Sequence, residues 1–426
     1  MALRNLTNRE VITGSDFKRM VTGAYSEFLL EYESINEQAK KDNPKLVTPP
    51  GTNILRTMGA AVLPLADTQD DTIGGLARRV ASAAALGARG SSGVVLSQLF
   101  RGMEKGLLGK IDATSSEFGK AFQYGILYAQ RVLPEDVDRP IISTARAVAK
   151  GAYKAVRANL PISEILTAAI EAGERKDGKP LVVGERIMVD FLRGCQKGLN
   201  GNFVSPMLNF SVGTGDQKLG IPDPRKDEVH PYCLTFEIGN SKGDAERLEE
   251  YLQSTASFIL VERHKGKFTV HLHTAHPGIV LEQCVGFGRL ESIFVNNMAE
   301  PHAMIRANHS LMPVALLAVA YDEKHAERLQ SLGANLIALG GEDDTPSVGA
   351  LVNAAHSDLA ESYVMVSDGT RLNLELHEVK RILGNRVEIV KAGNREEQVA
   401  AVRLFDGNLS AKENAARMNA MLAKES

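Results

Sequence analysis

Tryptophan is absent from this chain and aromatic residues make up only 5% of it, so a stacking platform for single-stranded nucleic acid is short of material. Charge of one sign is missing too. Lys plus Arg (49) nearly balances Asp plus Glu (52), leaving a net charge of -3 and no broad basic surface for phosphate backbones. Nucleic acid is not an expected partner. Cysteine is scarce, and the three present, Cys195, Cys233 and Cys284, are odd in number and far apart. That is the opposite of a disulfide framework and points to a reducing compartment. No window reaches the ~18 apolar residues of a membrane span, and the N-terminal MALRNLTNREVITGSDF has no continuous apolar stretch like a signal peptide. The expectation is a cytoplasmic protein without a membrane span.

What remains is an ordinary folded composition, with 44% hydrophobic and 24% charged side chains over 426 residues. At roughly 100–200 residues per domain, that length predicts two to four units. From Ser15, the residues Phe17, Met20, Val21, Ala24, Phe28 and Leu29 form one apolar stripe at helical spacing, with Ser15 and Asp16 placed to cap it. NPKLVTPPGTN (43–53) carries three prolines and a glycine and reads as a loop. Helical patterns follow at 73–86, 92–108, 115–132, 140–157, 162–173 and 185–198. Residues 1–200 therefore read as an all-α barrel or bundle.

Residues 201–230 lose the helical period and collect Gly, Pro and Asp, as a linker does. Beyond them CLTFEI (233–238), SFILVE (257–262) and FTVHLH (268–273) alternate like strands around a helical run at 244–254, giving an α+β domain over 231–310. From 311 to 426 short apolar strands alternate with helices, the signature of an α/β domain with parallel strands. The expected fold is thus multidomain α and α/β.

Three segments carry chemistry. GARGSSGVVLSQLFRG (87–102) runs small residues straight into an amphipathic helix, which leaves first-turn N–H groups available to an anion and adds the helix dipole. The bland alternative is that Ser92 caps the helix while Gly90 and Gly93 allow close packing. In FTVHLH, His271 and His273 leave the same face of a strand roughly 7 Å apart along it. That spacing suits two ligands of one metal, and Cys233 on another predicted strand is a thiolate candidate. The set favours Zn²⁺ over Mg²⁺. A fourth ligand is open among His230, His276, His302, water or a partner's side chain; Cys195 and Cys284 read as packing residues. In the C-terminal part, GGEDDTPS (340–347) and SDGT (367–370) read as helix caps.

Together with PGTN (50–53), the Gly87–Gly102 string resembles the nucleotide-binding domain shared by the L-subunit of dihydroxyacetone (glycerone) kinase and the A subunit of fatty acid kinase. HPYCLTFEI (230–238), FTVHLHTAHPG (268–278) and VNNMAEPH (295–302) resemble the middle domain of the second family, and 313–422 the start of its C-terminal region, which is shortened here. The resemblance implies lipid metabolism: ATP-dependent phosphorylation of a fatty acid presented by a fatty-acid-binding partner protein, with Mg²⁺ held by clustered aspartates. It also implies a structural zinc at Cys233, His271 and His273, and a phosphate-facing set of Gly51, Thr52, Asn53, Arg89, Gly90, Ser91, Ser92 and Gly93.

Three motifs depart from that pattern. The metal loop D-G-D-T-G-T-N falls on Val47, Thr48, Pro49, Pro50, Gly51, Thr52 and Asn53, so neither aspartate is kept. E-G-T-I-L-T falls on Asp138, Arg139, Pro140, Ile141, Ile142 and Ser143, and D-A-G-G-x-G on Val182, Val183, Gly184, Glu185, Arg186 and Ile187. The expectation is a vestigial nucleotide site without confident catalytic residues: a pseudokinase acting as a regulatory or partner-binding paralogue, beside an intact kinase subunit or as a homodimer. The alternatives are an active kinase whose metal site is rearranged around Glu37, Asp42, Asp67, Asp70 or Asp71, and a different enzyme reusing the helical cavity.

Overall fold

The computed structural model describes residues 11–44, 46, 48–66, 68, 71–132, 139–174, 180–202, 230–240, 244–264, 266–299, 311–341, 345–356, 359–368 and 371–425. The chain divides into two compact units, Met1–Asp227 and Glu228–Ser426. The stretch read as a linker lies largely outside the described residues. No described helix is long and apolar enough to cross a membrane.

The first unit contains β1 (Val11–Ile12), α1 (Gly14–Asp42), α2 (Pro50–Val62), α3 (Ile73–Gly87), α4 (Gly90–Leu107), β2 (Ala113–Thr114), α5 (Ser115–Val132), α6 (Arg139–Arg157), α7 (Ile162–Gly173) and α8 (Val183–Leu199). The two short strands pair antiparallel. Each helix packs on the next and α8 returns to α1, closing a ring. An apolar cavity inside it is lined by Phe17, Met20, Phe100, Phe118, Phe191 and Cys195, among others. The α1–α8 seam is close because it is built on glycine: a Cβ on Gly23 would lie 2.4 Å from the Gly194 carbonyl oxygen and 2.6 Å from the Gly198 Cα.

Two local expectations are corrected here. Helix α1 is capped by Thr13, not Ser15. The Thr13 hydroxyl accepts from the Asp16 N–H at 3.2 Å while the Asp16 carboxylate accepts from the Thr13 N–H at 2.9 Å, a reciprocal capping box. The segment read as a loop through Asn53 is helical from Pro50, because a proline in the first turn gives up an N–H that has no intrahelical partner anyway.

The second unit holds two four-stranded sheets. The first comprises β3 (Tyr232–Gly239), α9 (Ala245–Leu252), β4 (Ser257–His264), β5 (Lys267–Thr274), α10 (Pro277–Val285) and β6 (Arg289–Asn297), with antiparallel strand order β4-β5-β3-β6. Leu234, Phe236, Ile238, Phe268, Val270 and Leu272 project from one face into a core shared with Leu248, Leu252, Val280 and Cys284 of the two helices. The strict alternation sends Cys233, Thr235, His271 and His273 to the opposite face.

The second sheet is built from β7 (Met312–Ala320), α11 (Glu323–Ser331), β8 (Leu336–Leu339), α12 (Val348–Ala355), β9 (Ala360–Ser367), α13 (Leu374–Leu383), β10 (Val387–Lys391), α14 (Arg395–Arg403) and α15 (Ala411–Glu425). All its strands are parallel, in the order β10-β9-β7-β8. Val314, Leu316, Ala318 and Ala320 pack with Leu329, Val399, Val402 and Met418 of α11, α14 and α15. With both faces covered, β7 is a continuous apolar run, as parallel strands are. The multidomain α and α/β architecture expected from the sequence is the one observed. Helix α10, strand β6 and helix α14 were not anticipated.

Candidate nucleotide site and metal centre

The residues expected to face phosphate lie at two helix starts that meet. Arg89 is the N-cap of α4, and Gly90 follows at a φ of 63°, in the left-handed region where glycine is at ease. A Cβ on Gly90 would lie 2.8 Å from the Asn53 side-chain nitrogen, and one on Gly93 only 2.4 Å from the Thr57 hydroxyl. The Thr57 hydroxyl also accepts from the Arg89 N–H at 3.1 Å. So α2 (Gly51, Thr52, Asn53) and the first turn of α4 (Gly90, Ser91, Ser92, Gly93) are brought together. The glycines make the approach possible. Ser92 falls inside the first turn and is not the cap.

The N-terminus of α2 is already served by a neutral group. The Asn36 side-chain oxygen of α1 accepts from the Gly51 N–H at 2.7 Å and the Thr52 N–H at 3.3 Å, and its amide donates to the Thr52 hydroxyl at 2.9 Å. Two amides that would otherwise face an anion are thereby occupied. Pro49 is the cap residue and makes no side-chain cap bond; Val47 lies outside the described residues.

The segment matching D-A-G-G-x-G is the start of α8, and its charge is spent within the fold. Arg186 donates to Glu31 at 2.7 Å, Ser34 at 3.0 Å, Gln38 at 3.1 Å and Asp190 at 3.2 Å. Asp190 also accepts from Arg193 at 3.0 Å. Burial pushes the Asp190 carboxyl above its ordinary value, against the pull of Arg186 and Arg193. Ile187 beside them is fully buried. The segment matching E-G-T-I-L-T opens α6 with Arg139 and Pro140 in its first turn, while Asp138 is outside the described residues.

The metal candidates assemble. Cys233 pairs across the ladder with His273, and Thr235 with His271, so the three candidate ligands stand on adjacent strands and one face. Their ligand atoms all lie within 4.8 Å of one another, and among the described residues this is the one such group of His, Cys, Asp or Glu. Cys233, His271 and His273 are 2%, 4% and 0% exposed. The Cys233 sulfur lies 3.9 Å and the Thr235 hydroxyl 3.2 Å from Nδ1 of His271, placing Thr235 to orient that ring. One thiolate with two imidazoles is a borderline-soft donor set that fits zinc and fits Mg²⁺ or Ca²⁺ poorly. His230 and His276 are not in the group, and His302 lies outside the described residues. His356 at the end of α12 is also outside the group, but its ring centroid lies 6.0 Å from that of His273. It sits far from H-x-H in the sequence, with no spacing to mark it.

Cys195 and Cys284 are buried elsewhere. Burial pushes the Cys284 thiol up to about 12 and that of Cys195 higher still. Ser347 accepts from the Ala350 N–H at 3.1 Å and caps α12, the role expected of that loop.

Comparison with known proteins agrees with this layout. Residues 50–178 match the DAK2 domain, 229–305 the middle domain of the fatty acid kinase A-subunit-like proteins, and 315–425 the C-terminal domain of the same proteins. The chain is 26% identical to the protein YloV of Bacillus subtilis (strain 168), over 86% of this chain and 72% of that one. It is 24% identical to an uncharacterized protein of Staphylococcus epidermidis, covering 87% of this chain and 73% of the relative. A Staphylococcus aureus (strain USA300) protein is 23% identical at 86% and 72% coverage. With matches to all three domains in their order, the chain belongs to the fatty acid kinase A-subunit-like family, whose N-terminal part is a DAK2 domain.

Proposed function

We propose that this chain is a three-domain, fatty-acid-kinase-A-like protein that does not itself transfer phosphate from ATP. It acts in the cytoplasm as a regulatory or partner-binding paralogue, toward a fatty-acid-binding protein, an intact kinase subunit or a second copy of itself. The observation that carries the reading is the sequence leading into α2, in which Val47 and Pro49 stand in place of the two metal-loop aspartates. Phosphoryl transfer of this kind depends on metal ions that bridge phosphate oxygens, and Mg²⁺ demands near-octahedral oxygen ligation. Neither Val nor Pro supplies a side-chain oxygen. Asn36 on the first-turn amides and Arg186 in its four-partner network support the same reading, since both turn former ligand-facing backbone into packing.

The test is calorimetry of the purified chain with ATP, with and without Mg²⁺, alongside ATP consumption in the presence of an acyl-loaded partner. The expected result is no Mg²⁺-dependent affinity in the micromolar range and no turnover. EDTA-sensitive ATP consumption refutes the reading and establishes an active kinase with a rearranged metal site.

The second part of the reading is that Cys233, His271 and His273 hold a structural zinc. Metal analysis after growth in zinc is expected to return close to one zinc per chain, and less than ~0.3 counts against the site.

A further inference from the structure

A three-ligand zinc site lacks one ligand, and the fold brings a third histidine toward it from the other sheet of the same unit. His356 follows the last turn of α12, where its N–H bonds back to the Val352 and Asn353 carbonyls at 3.0 Å. That pins its position at the helix end. The side chain is 2% exposed, and its ring stands 6.0 Å from His273 at 59°.

Tetrahedral coordination fixes what these separations should be. With Zn–N about 2.0–2.1 Å and a ring centre roughly 1.2 Å behind its nitrogen, each ring centre sits about 3.2 Å from the metal, and two rings at the tetrahedral angle are about 5.2 Å apart. His271 and His273 are 5.3 Å apart, in agreement. His356 stands about 0.8 Å beyond the ideal from His273 and outside the set of ligand atoms within 4.8 Å of one another, so it joins the set through a side-chain rotation.

A second contact supports the same junction. Arg381 on α13 reaches the Ala299 carbonyl, just past β6, at 3.4 Å. Cys233, Thr235, His271 and His273 lie on the face of the antiparallel sheet turned away from α9 and α10, yet these four are as buried as the core on the other face.

We propose that His356 is the fourth protein ligand, completing a Cys–His₃ set that ties the antiparallel sheet to the parallel one. The inference rests on the reading that Cys233, His271 and His273 bind a metal. It makes the site closed, with no position left for water or substrate, and therefore structural. The zinc then acts as a clasp between the two sheets.

The experiment uses the full chain. X-ray absorption of the zinc-loaded wild type is expected to count three imidazoles and one sulfur around the metal. His356→Ala is expected to bind zinc at least ~10-fold more weakly in competition with a chelator, and its cobalt derivative to show an altered d–d band. His356→Cys restores affinity and adds thiolate-to-cobalt charge-transfer intensity. A wild type with two imidazoles and a light oxygen donor overturns the proposal, as does a folded His356→Ala with unchanged affinity and cobalt spectrum. A wild type that binds no metal at all instead removes the earlier zinc reading, and this one with it. The absorption measurement needs no variant, so it decides the matter even where His356→Ala does not fold.

Discussion

Arg186→Ala separates a structural role for the start of α8 from a ligand-binding one. In the wild type this guanidinium is 19% exposed and holds Asp190, whose side chain is 5% exposed. Removing the partner of a buried carboxylate costs about 3–5 kcal/mol when nothing else compensates. Arg193 remains at 3.0 Å and takes up part of that loss, while the Glu31 pair, with its carboxylate 39% exposed, adds little. The net expectation is about 2–3 kcal/mol, or roughly 5–10 °C in the melting of a unit of this size.

The pH dependence has a definite sign. Burial raises the Asp190 carboxyl in the folded state, so its ionised form subtracts stability above that raised value, and the subtraction fades as pH falls toward the unfolded value. Deleting Arg186 removes one attraction that opposes the rise. The deficit of the variant is therefore greatest near neutral pH and narrows toward pH about 4. Adding Asp190→Asn removes the stranded charge and is expected to recover about 1 kcal/mol or more. Thermal and urea melts at several pH values measure all of this. A single variant within about 0.5 kcal/mol of wild type, or a deficit that grows on acidification, refutes the structural account.

Other expectations are as direct. The Lys110 ammonium, with the Thr114 N–H and hydroxyl, holds the Glu117 carboxyl down at about 2. A depressed folded-state value gives stability that is present at neutral pH and lost as pH falls toward about 2, so Glu117→Gln is destabilising at pH 7 by less than about 1 kcal/mol and neutral at low pH. Carboxyl NMR titration reads the midpoint. Gly23→Ala forces a methyl to 2.4 Å from the Gly194 carbonyl, and a loss of about 1–3 kcal/mol in urea melts is expected. The three buried cysteines resist iodoacetamide in the native protein and react fully once it is unfolded; mass spectrometry counts the adducts.

Much of this was legible in the sequence where one local rule governs. The helices read at 115–132 and 162–173 coincide with α5 and α7, and FTVHLH (268–273) falls within β5, because amphipathic period and strand alternation act over neighbouring residues. The H-x-H alternation follows from strand geometry alone, whereas the pairing of Cys233 with His273 depends on the β3–β5 register, which no local pattern fixes. The start of α2 was not legible, since proline signals a loop in general and a helix start only where its missing N–H goes unused. Nor was the approach of His356, whose ring comes within 6.0 Å of that of His273 from the end of α12, far away in the sequence. The roles of Asn36 and Arg186 were equally hidden: each acts across helices that the sequence separates, through hydrogen bonds that leave no periodic trace.

The ladder between β3 and β5 sets a timetable for synthesis. Cys233 leaves the ribosome well before His271 and His273, with α9 and β4 between them, so the nascent chain carries a lone thiol until β5 emerges. Pairing out by one residue would turn Leu234 toward the ligand side and Cys233 into the core shared with α9 and α10. Were the proposed zinc bound, its ligands would converge only in chains that have paired in the native register, and the ion would serve as a proofreader of strand alignment as the protein is made.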